Sequence, residues 1–265
     1  MDITKIKTIF FSPTGTSKKV VKAIAEGGKM PDACDELDLT YPGHHREVMI
    51  AGDELAIIGV PVYGGRVAPL ARERLKGIRG NNSPAVIVVV YGNREFEDAL
   101  IELRDIVTAQ SFSVVAAGAF VGEHSFSSVE IPIAEGRPDR ADLTAAGDFG
   151  GKVMERIRIS AKPEQGRLQV PGNIPYLESM KKLPFTPQVN VEKCTQCEIC
   201  ITSCPAGAIS LDTSIEIDPQ KCTFCCACIK NCPEEAISIA APPLVEKAEW
   251  LHSNCRERKE PQLFF

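Results

Sequence analysis

The 265-residue chain is 44% hydrophobic and 25% charged, a balance typical of a globular protein that can bury a core. Its formal net charge of −5, without a dense stripe of Lys and Arg, argues against nucleic acid as a partner. The first residues lack a signal-type pattern and the longest apolar run, Ala85 to Tyr91, is too short to span a bilayer, so we expect a cytoplasmic protein without a membrane span.

Residues 1–160 alternate strand-like and helix-like patterns. The strand-like runs are TIFF, DELDL, ELAIIGV, AVIVVVY and SVVAAGAFV. Apolar spacing predicts helices in TSKKVVKAIAEGG, APLARERLKGI, residues 96–107 and RPDRADLTAAGDFGGKVMERI, the last of them capped by Asp139. Near-continuous runs of Ile and Val are typical of strands that are covered on both faces. The alternation therefore predicts an α/β domain with a doubly wound parallel sheet.

The rest of the chain divides into three parts by composition. Residues 161–187 contain five prolines without a sustained period, which predicts a linker that lies over one of the domains. Residues 188–240 hold a cysteine repeat. Residues 241–265 form a charged tail that ends in two phenylalanines, and we expect it to pack as a short helix or to be partly disordered.

Nine of the eleven cysteines lie between Cys194 and Cys232, in a unit that occurs twice with an offset of 28 residues. Each half reads C-x2-C-x2-C-x3-C-P, the bacterial pattern for two [4Fe–4S] clusters. Zinc ribbons use pairs of C-x2-C instead, and disulfides do not suit a reducing compartment. The repeat therefore predicts a domain that binds two [4Fe–4S] clusters.

The same spacing predicts which cysteines share a cluster. Three thiolates at i, i+3 and i+6 can reach one cluster, whereas the fourth cysteine begins a short helix and serves the other cluster. The expected sets are Cys194, Cys197 and Cys200 with Cys232, and Cys222, Cys225 and Cys228 with Cys204. A unit of this size is expected to fold around its metal. Cys226 lies outside the pattern, and we expect a buried free thiol there.

Three loops follow the core strands of the α/β domain at the edge where ligands bind in open sheets. They read SPTGTS (residues 12–17), PVYGGRVAP (61–69) and YGNREF (91–96). The first leads into a helix and offers hydroxyls, a glycine and a helix N-terminus, which together favour an anion. Ordinary N-capping by Ser or Thr is the alternative. A phosphate on the first loop and a flat ring between the other two would describe FMN.

These motifs resemble known families. SPTGTS is similar to the flavodoxin phosphate loop, and PVYGG and YGNR resemble the two loops that flank the flavin in flavodoxins. The cysteine half resembles bacterial 2[4Fe–4S] ferredoxins, and the whole chain resembles ferredoxin-fused, flavodoxin-like electron-transfer proteins of anaerobes. The resemblance implies a five-stranded sheet in the order 2-1-3-4-5, a C-terminal α+β ferredoxin-like domain and bound FMN. It departs at position 16, where Thr stands in place of the Asn that flavodoxins often carry.

The resemblance also implies roles for individual residues. Side chains of the first loop, with two of its amides, would bind the phosphate. The second loop would lie against the flavin, and the third would contact the pyrimidine edge. The expected cofactor-binding residues are Ser12, Thr14, Gly15, Thr16, Ser17, Pro61, Val62, Tyr63, Gly64, Gly65, Tyr91, Gly92, Asn93, Arg94 and Phe96.

Other residues carry weaker signals. His124, in GEHSFSS after the fifth strand, is expected to be a surface or capping group, with proton donation to a reduced flavin as the alternative. Arg66 and Arg94 are expected to be exposed and solvated, with contact to the flavin or to a partner as the alternative. No G-x-G-x-x-G follows a strand, so a Rossmann nicotinamide site has no support.

The combination of cofactors favours an electron-transfer protein without a catalytic residue of its own, in which FMN and clusters exchange electrons with a ferredoxin or another oxidoreductase. An FMN-dependent reductase of a small molecule, supplied with electrons by its own clusters, is the alternative. A redox sensor is a third hypothesis, and no signalling segment supports it. The sequence leaves open whether flavin and cluster meet within a chain or across a homodimer.

Overall fold

The computed structural model of the protein describes residues 2–29, 34–43, 47–159, 168–178 and 183–265. The strands of the described parts are β1 (Lys5–Phe10), β2 (Cys34–Asp38), β3 (Val48–Ile50), β4 (Glu54–Tyr63), β5 (Arg66–Val67), β6 (Ile78–Gly80), β7 (Ser83–Tyr91), β8 (Phe112–Val121), β9 (Gln188–Val189), β10 (Ile209–Leu211), β11 (Ile215–Ile217), β12 (Ile237–Ser238) and β13 (Gln262–Phe264). Their helices are α1 (Thr16–Gly27), α2 (Pro69–Leu75), α3 (Ala99–Ala109), α4 (Arg140–Ile159), α5 (Ile199–Thr202), α6 (Ala227–Lys230) and α7 (Pro242–Asn254).

The central sheet contains five parallel strands in the order β2-β1-β4-β7-β8. Counted along the chain, these strands stand in the order 2-1-3-4-5, which is the doubly wound order of the flavodoxin-like fold. Strand β7 is buried at every position, as its run of Ile and Val predicts. The α/β class and the parallel sheet are confirmed.

Two apolar layers cover the sheet. One face packs against α1 and α4 through a core that includes Phe10, Ile24 and Phe149. Helices α1 and α4 approach closely at Gly150, where a Cβ atom would lie 1.9 Å from the carbonyl oxygen of Ile24. Asp139 caps α4 as predicted, because its Oδ1 accepts from the amides of the second and third helical residues at 2.9 and 3.0 Å.

The opposite face of the sheet packs against α2 and α3 through Leu75, Leu100 and Leu103. Part of the predicted linker lies on α3. The amides of Asn173 and Leu177 donate to the Asp98 carboxylate at 2.7 and 2.6 Å. The remainder of that prediction, at residues 160–167 and 179–182, falls outside the described residues.

The C-terminal tail differs from the expectation in part. Helix α7 begins with two prolines, which suit a first helical turn because the missing amide hydrogens would have no helical partner. After it, β13 pairs antiparallel with β8 and adds an edge strand to the parallel sheet, with Leu263 opposite Gly118. The tail is therefore part of the α/β domain, and partial disorder is not what the structure shows.

The cysteine repeat forms a small unit of two short antiparallel strand pairs and two one-turn helices. Strand β10 pairs with β11, and β9 pairs with β12, which joins the beginning and the end of the unit. Helices α5 and α6 both follow a residue in the left-handed conformation, Glu198 in one half and Cys226 in the other. No helix among the described residues is long and apolar enough to cross a membrane.

Candidate cofactor sites

A cavity that is open to solvent lies at the carboxyl ends of β1, β4, β7 and β8. The loops that follow these four strands provide most of its wall, and the cysteine domain adds one residue. The lining residues are Ser12, Pro13, Thr14, Thr16, Ser17, Pro61, Val62, Tyr63, Val90, Tyr91, Gly92, Gly122, Glu123, His124, Ser125 and Cys225.

The first loop of the cavity has the geometry of an anion site. Gly15 precedes α1 in the left-handed conformation (φ 83°) and has no side chain that could cap the helix. Ser12 Oγ accepts from the amide of Lys18 at 3.0 Å. The buried Ser17 Oγ has no hydrogen-bond partner within the described part of the chain. A buried hydroxyl without a partner, beside the positive end of a twelve-residue helix, fits a phosphate group.

Two tyrosines give the cavity flat aromatic walls. Tyr91 is buried against Phe96, with ring centroids 5.4 Å apart, and its hydroxyl has no partner among the described residues. Burial raises the pKa of Tyr91 to about 12. Burial also raises the pKa of Tyr63 well above its usual value, with Cys225 and Cys226 as further contributors. Both phenols are therefore neutral hydrogen-bond donors at ordinary pH.

His124 lies in the cavity wall, where its ring packs over Gly92. A Cβ atom on Gly92 would lie 2.2 Å from His124 Cδ2, so only glycine fits at that position. Burial, with Arg94, Lys247 and Lys230 nearby, lowers the pKa of His124 to about 4. Nδ1 accepts from the Phe126 amide at 3.0 Å, which places the proton of the neutral ring on Nε2. The capping interpretation is confirmed, but His124 is not a surface group.

Nine of the predicted flavin-site residues line this cavity, namely Ser12, Thr14, Thr16, Ser17, Pro61, Val62, Tyr63, Tyr91 and Gly92. Six others do not line it, namely Gly15, Gly64, Gly65, Asn93, Arg94 and Phe96. The Asn93 side chain instead donates to the carbonyls of Cys255 and Glu257 at 2.7 and 2.9 Å. Phe96 packs behind Tyr91 in the core.

The two arginines are also placed differently from the expectation. Arg66 is buried and forms two hydrogen bonds with the Glu102 carboxylate, at 2.9 and 2.8 Å. Arg94 donates to Glu97 at 2.8 Å and is half-buried. Neither is a freely solvated side chain, because each has a carboxylate partner on the same side of the sheet.

Two further cavities lie within the cysteine repeat. The first is lined by Cys194, Cys197, Cys200 and Cys232. The second is lined by Cys204, Cys222, Cys225 and Cys228. Each cavity thus holds one of the two crossed sets that the spacing predicts. Among the described residues, no three His, Cys, Asp or Glu side chains converge so as to hold a single metal ion. The cysteines surround a space instead of one point.

The surroundings of the cysteines suit a metal cluster that binds thiolates. Burial raises the pKa of Cys225 to about 11, so the free thiol would stay protonated at neutral pH. The amide of Ala208 donates to Cys204 Sγ and that of Ala236 to Cys232 Sγ, both at 3.3 Å. Hydrogen bonds of this kind stabilise cluster sulfurs and influence the reduction potential. The four-thiol donor sets therefore fit iron–sulfur clusters.

Residues 193–236 match the family model described as a 4Fe-4S dicluster domain. The chain joins a flavodoxin-like α/β domain to a ferredoxin-like domain. The family match identifies the ferredoxin-like domain, and the strand order identifies the flavodoxin-like fold of the other domain. No protein with a curated description matches the chain.

Solved structures resemble the α/β part. Rubredoxin oxygen:oxidoreductase from the anaerobe Desulfovibrio gigas is 13% identical (TM-score 0.43), and the match covers 60% of this chain and 37% of that one. The flavodiiron protein from Giardia intestinalis is 14% identical (TM-score 0.41), with 60% and 37% covered. A flavodoxin from the domain Archaea is 12% identical (TM-score 0.38), with 58% and 99% covered. At these values the likenesses carry no argument about function.

Proposed function

We propose that this chain is an iron–sulfur flavoprotein that transfers electrons between low-potential one-electron carriers, two [4Fe–4S] clusters and FMN. The observation that carries the proposal is the presence of three cavities of the appropriate chemistry in one chain. Each of two cavities is lined by one of the two predicted sets of four cysteines, with Cys226 in addition in the second, and the third combines a phosphate-type loop with two tyrosines. When bound, clusters exchange one electron at a time, whereas a flavin exchanges one or two.

The phosphate loop supports FMN through hydroxyl and amide donors. Thr14 and Thr16 line the cavity beside Ser17, whose buried Oγ lacks a partner within the described residues. The first amides of α1 would add donors at the positive end of the helix dipole. These groups would hold the phosphate, and Tyr63 and Tyr91 would lie against the flat ring system.

The loop that follows β8 contains His124, which would supply a proton donor to the cavity. His124 is neutral and its Nε2 carries the hydrogen, so it donates a hydrogen bond without bringing a positive charge. Its Nδ1 is held by a backbone amide, which keeps the ring in one orientation. We propose that His124 donates to the bound flavin, which is the role that the sequence analysis held as the alternative.

The same histidine favours a second candidate function. A proton-donating side chain in the cavity wall would also serve an FMN-dependent reductase of a small molecule, with the clusters as its electron source. A reduced electron-transfer protein would be oxidised by another redox protein, whereas the reductase would be oxidised by its small-molecule substrate. A ferredoxin or another redox protein is the expected partner of the first.

Acceptor specificity tests the proposal. The anaerobically reduced protein is mixed in turn with oxidised ferredoxin, flavodoxin and a panel of quinones, nitro compounds and disulfides, and the return of flavin and cluster absorbance is followed. We expect rapid reoxidation by the protein carriers and slow, unselective reaction with the small molecules. Fast, saturable turnover of one defined small molecule would favour the reductase instead.

A substitution in the phosphate loop tests the flavin site. Ser17→Ala removes the unpartnered hydroxyl and is expected to weaken FMN binding about tenfold, which corresponds to roughly 1.4 kcal/mol. Thr144→Ala is a matched control, since its hydroxyl donates to a helical carbonyl at 2.8 Å far along the chain from the loop. Titration by flavin fluorescence measures both. Unchanged affinity in Ser17→Ala would contradict the placement of the phosphate.

A further inference from the structure

The two halves of the cysteine repeat have the same backbone but opposite surroundings. Gln196 and Glu198 in the first half, and Phe224 and Cys226 at the equivalent positions of the second, all have left-handed φ angles between 54° and 61°. The first pair is exposed and the second is buried. Since the loop geometry is shared, the side chains alone distinguish the two halves.

The α/β domain, together with residues 183–185 and helix α7, buries this part of the second half. Phe224 packs edge-to-face against Phe126, with ring centroids 5.8 Å apart, and both belong to one apolar cluster with Cys226. Phe126 in turn packs against His124 of the flavin cavity at 5.1 Å. Gln196 and Glu198 could not form such contacts, because an apolar partner would leave their polar groups without hydrogen bonds.

Polar contacts fix the same face. Lys230 Nζ donates to the Glu123 carboxylate at 2.6 Å and to the Ser127 carbonyl at 2.8 Å. The equivalent position of the first half is Thr202, which has no charge. Arg74 of helix α2 is buried and donates at 2.5 Å to the carbonyl of Pro205, which follows Cys204, the cysteine that the first half contributes to the second cavity.

One cysteine belongs to two cavities. Cys225 lines the second cysteine cavity and also the flavin cavity. Its counterpart in the first half, Cys197, lines only the first cysteine cavity and is exposed. Cys225 therefore borders both the space between the loops of the α/β domain and the space that Cys204, Cys222 and Cys228 also line.

We infer that Cys225 joins the flavin site to one cluster within a single chain, so that the two cluster sites have different positions in the electron path. The site of the second half is next to the flavin and shielded from solvent. The cluster site of the first half is exposed, so this site would exchange electrons with external carriers. This inference rests on the proposed function, and it answers for this chain whether flavin and cluster meet within one protomer.

Matched variants at equivalent positions test the inference. The cluster-loaded protein, Cys225→Ser and Cys197→Ser are purified without air, freed of flavin and titrated with FMN. We expect Cys225→Ser to weaken FMN binding about tenfold and Cys197→Ser to change it less than about twofold. Equal weakening in both variants, or none in Cys225→Ser, would overturn the inference.

Iron release provides a second measurement that does not depend on how Cys225→Ser folds. An iron chelator is added to the wild-type protein with and without FMN. We expect two phases of similar amplitude, with FMN slowing only one of them several-fold. In Cys197→Ser the remaining iron should respond to FMN. A wild-type protein in which FMN slows both phases equally, or neither, would contradict the inference. A wild-type protein that binds no FMN or no iron would contradict the proposed function itself.

Discussion

The α/β domain completely buries Phe10, Phe120 and Phe149 on one face of a five-stranded parallel sheet, and Leu100 and Leu103 on the other. The ferredoxin-like domain has only a few buried apolar side chains, such as Ile209 and Ile215, and its remaining interior is made of cysteines. Apolar burial can therefore maintain the first domain without a cofactor, whereas the second depends on what its thiols bind. The comparison predicts that the two domains respond differently to the same treatment.

Removal of iron should have the largest effect. Chelation under denaturant-free conditions is expected to unfold residues 188–240, because a core of this size cannot compensate for the lost metal–sulfur bonds. The central sheet should remain folded. Hydrogen exchange measures both domains in one experiment, with β7 amides protected and amides near Cys200 and Cys228 exposed. Protection of the cysteine domain after complete loss of iron would contradict the comparison.

A core substitution should have the converse effect. Phe149→Ala removes a fully buried ring between α4 and the sheet, 6.3 Å from the ring of Phe120, and should lower the free energy of unfolding of the α/β domain by about 3–5 kcal/mol. Iron content should stay unchanged. The exposed Val129→Ala serves as the control and should change stability by less than about 0.5 kcal/mol. Denaturant unfolding followed by circular dichroism gives the values.

The linker contact at Asp98 should have a smaller effect. Burial alone would raise the pKa of Asp98, but hydrogen bonds from Leu177 and Asn173 lower it below its usual value of 3.8. Stability from this contact is therefore present above about pH 3.8 and is lost as the pH falls further. Asp98→Asn should cost about 1–3 kcal/mol at pH 7. Glu73→Gln, on the surface, should cost almost nothing. Faster proteolysis near Leu177 in Asp98→Asn alone would confirm the contact.

His124, at the boundary of the two domains, should give the smallest effect at pH 7, because its contribution appears only below about pH 6.5. Its pKa is about 4 in the folded chain and near 6.5 in an unfolded one, so the unfolded state binds more protons between these values. Stability should therefore decrease as the pH falls from about 6.5 to about 4. His124→Gln should remove this component. Thermal unfolding at a series of pH values measures it, and identical pH profiles for both proteins would contradict the buried placement.

The sequence predicted the features that depend on local patterns. Strand β7 could be predicted because a continuous apolar run indicates a strand that is covered on both faces. All nine of its residues are indeed buried. The crossed cysteine sets follow from two repeats of one spacing. The phosphate-type loop at residues 12–17 could be recognised because hydroxyls, a glycine and the start of a helix lie within six residues.

The features that depend on docking were not predictable. Strand β13 has only three residues, and its partner β8 lies more than 140 positions earlier in the chain. Asn93 carries an amide that suits a flavin edge, but this amide donates to carbonyl groups of the C-terminal tail instead. The position of Cys225 in the flavin cavity depends on how two domains pack. The one local signal for that packing was the replacement of Gln196 and Glu198 by Phe224 and Cys226 in the second half.

The central claim is that flavin and iron–sulfur clusters occupy the same polypeptide. The most direct test is the cofactor content of the full chain purified without air, measured as iron, acid-labile sulfide and FMN per polypeptide. The account predicts about eight iron, about eight sulfide and about one FMN, as expected for two [4Fe–4S] clusters and one flavin. Colourless protein, or protein that contains zinc in place of iron and sulfide, would contradict it.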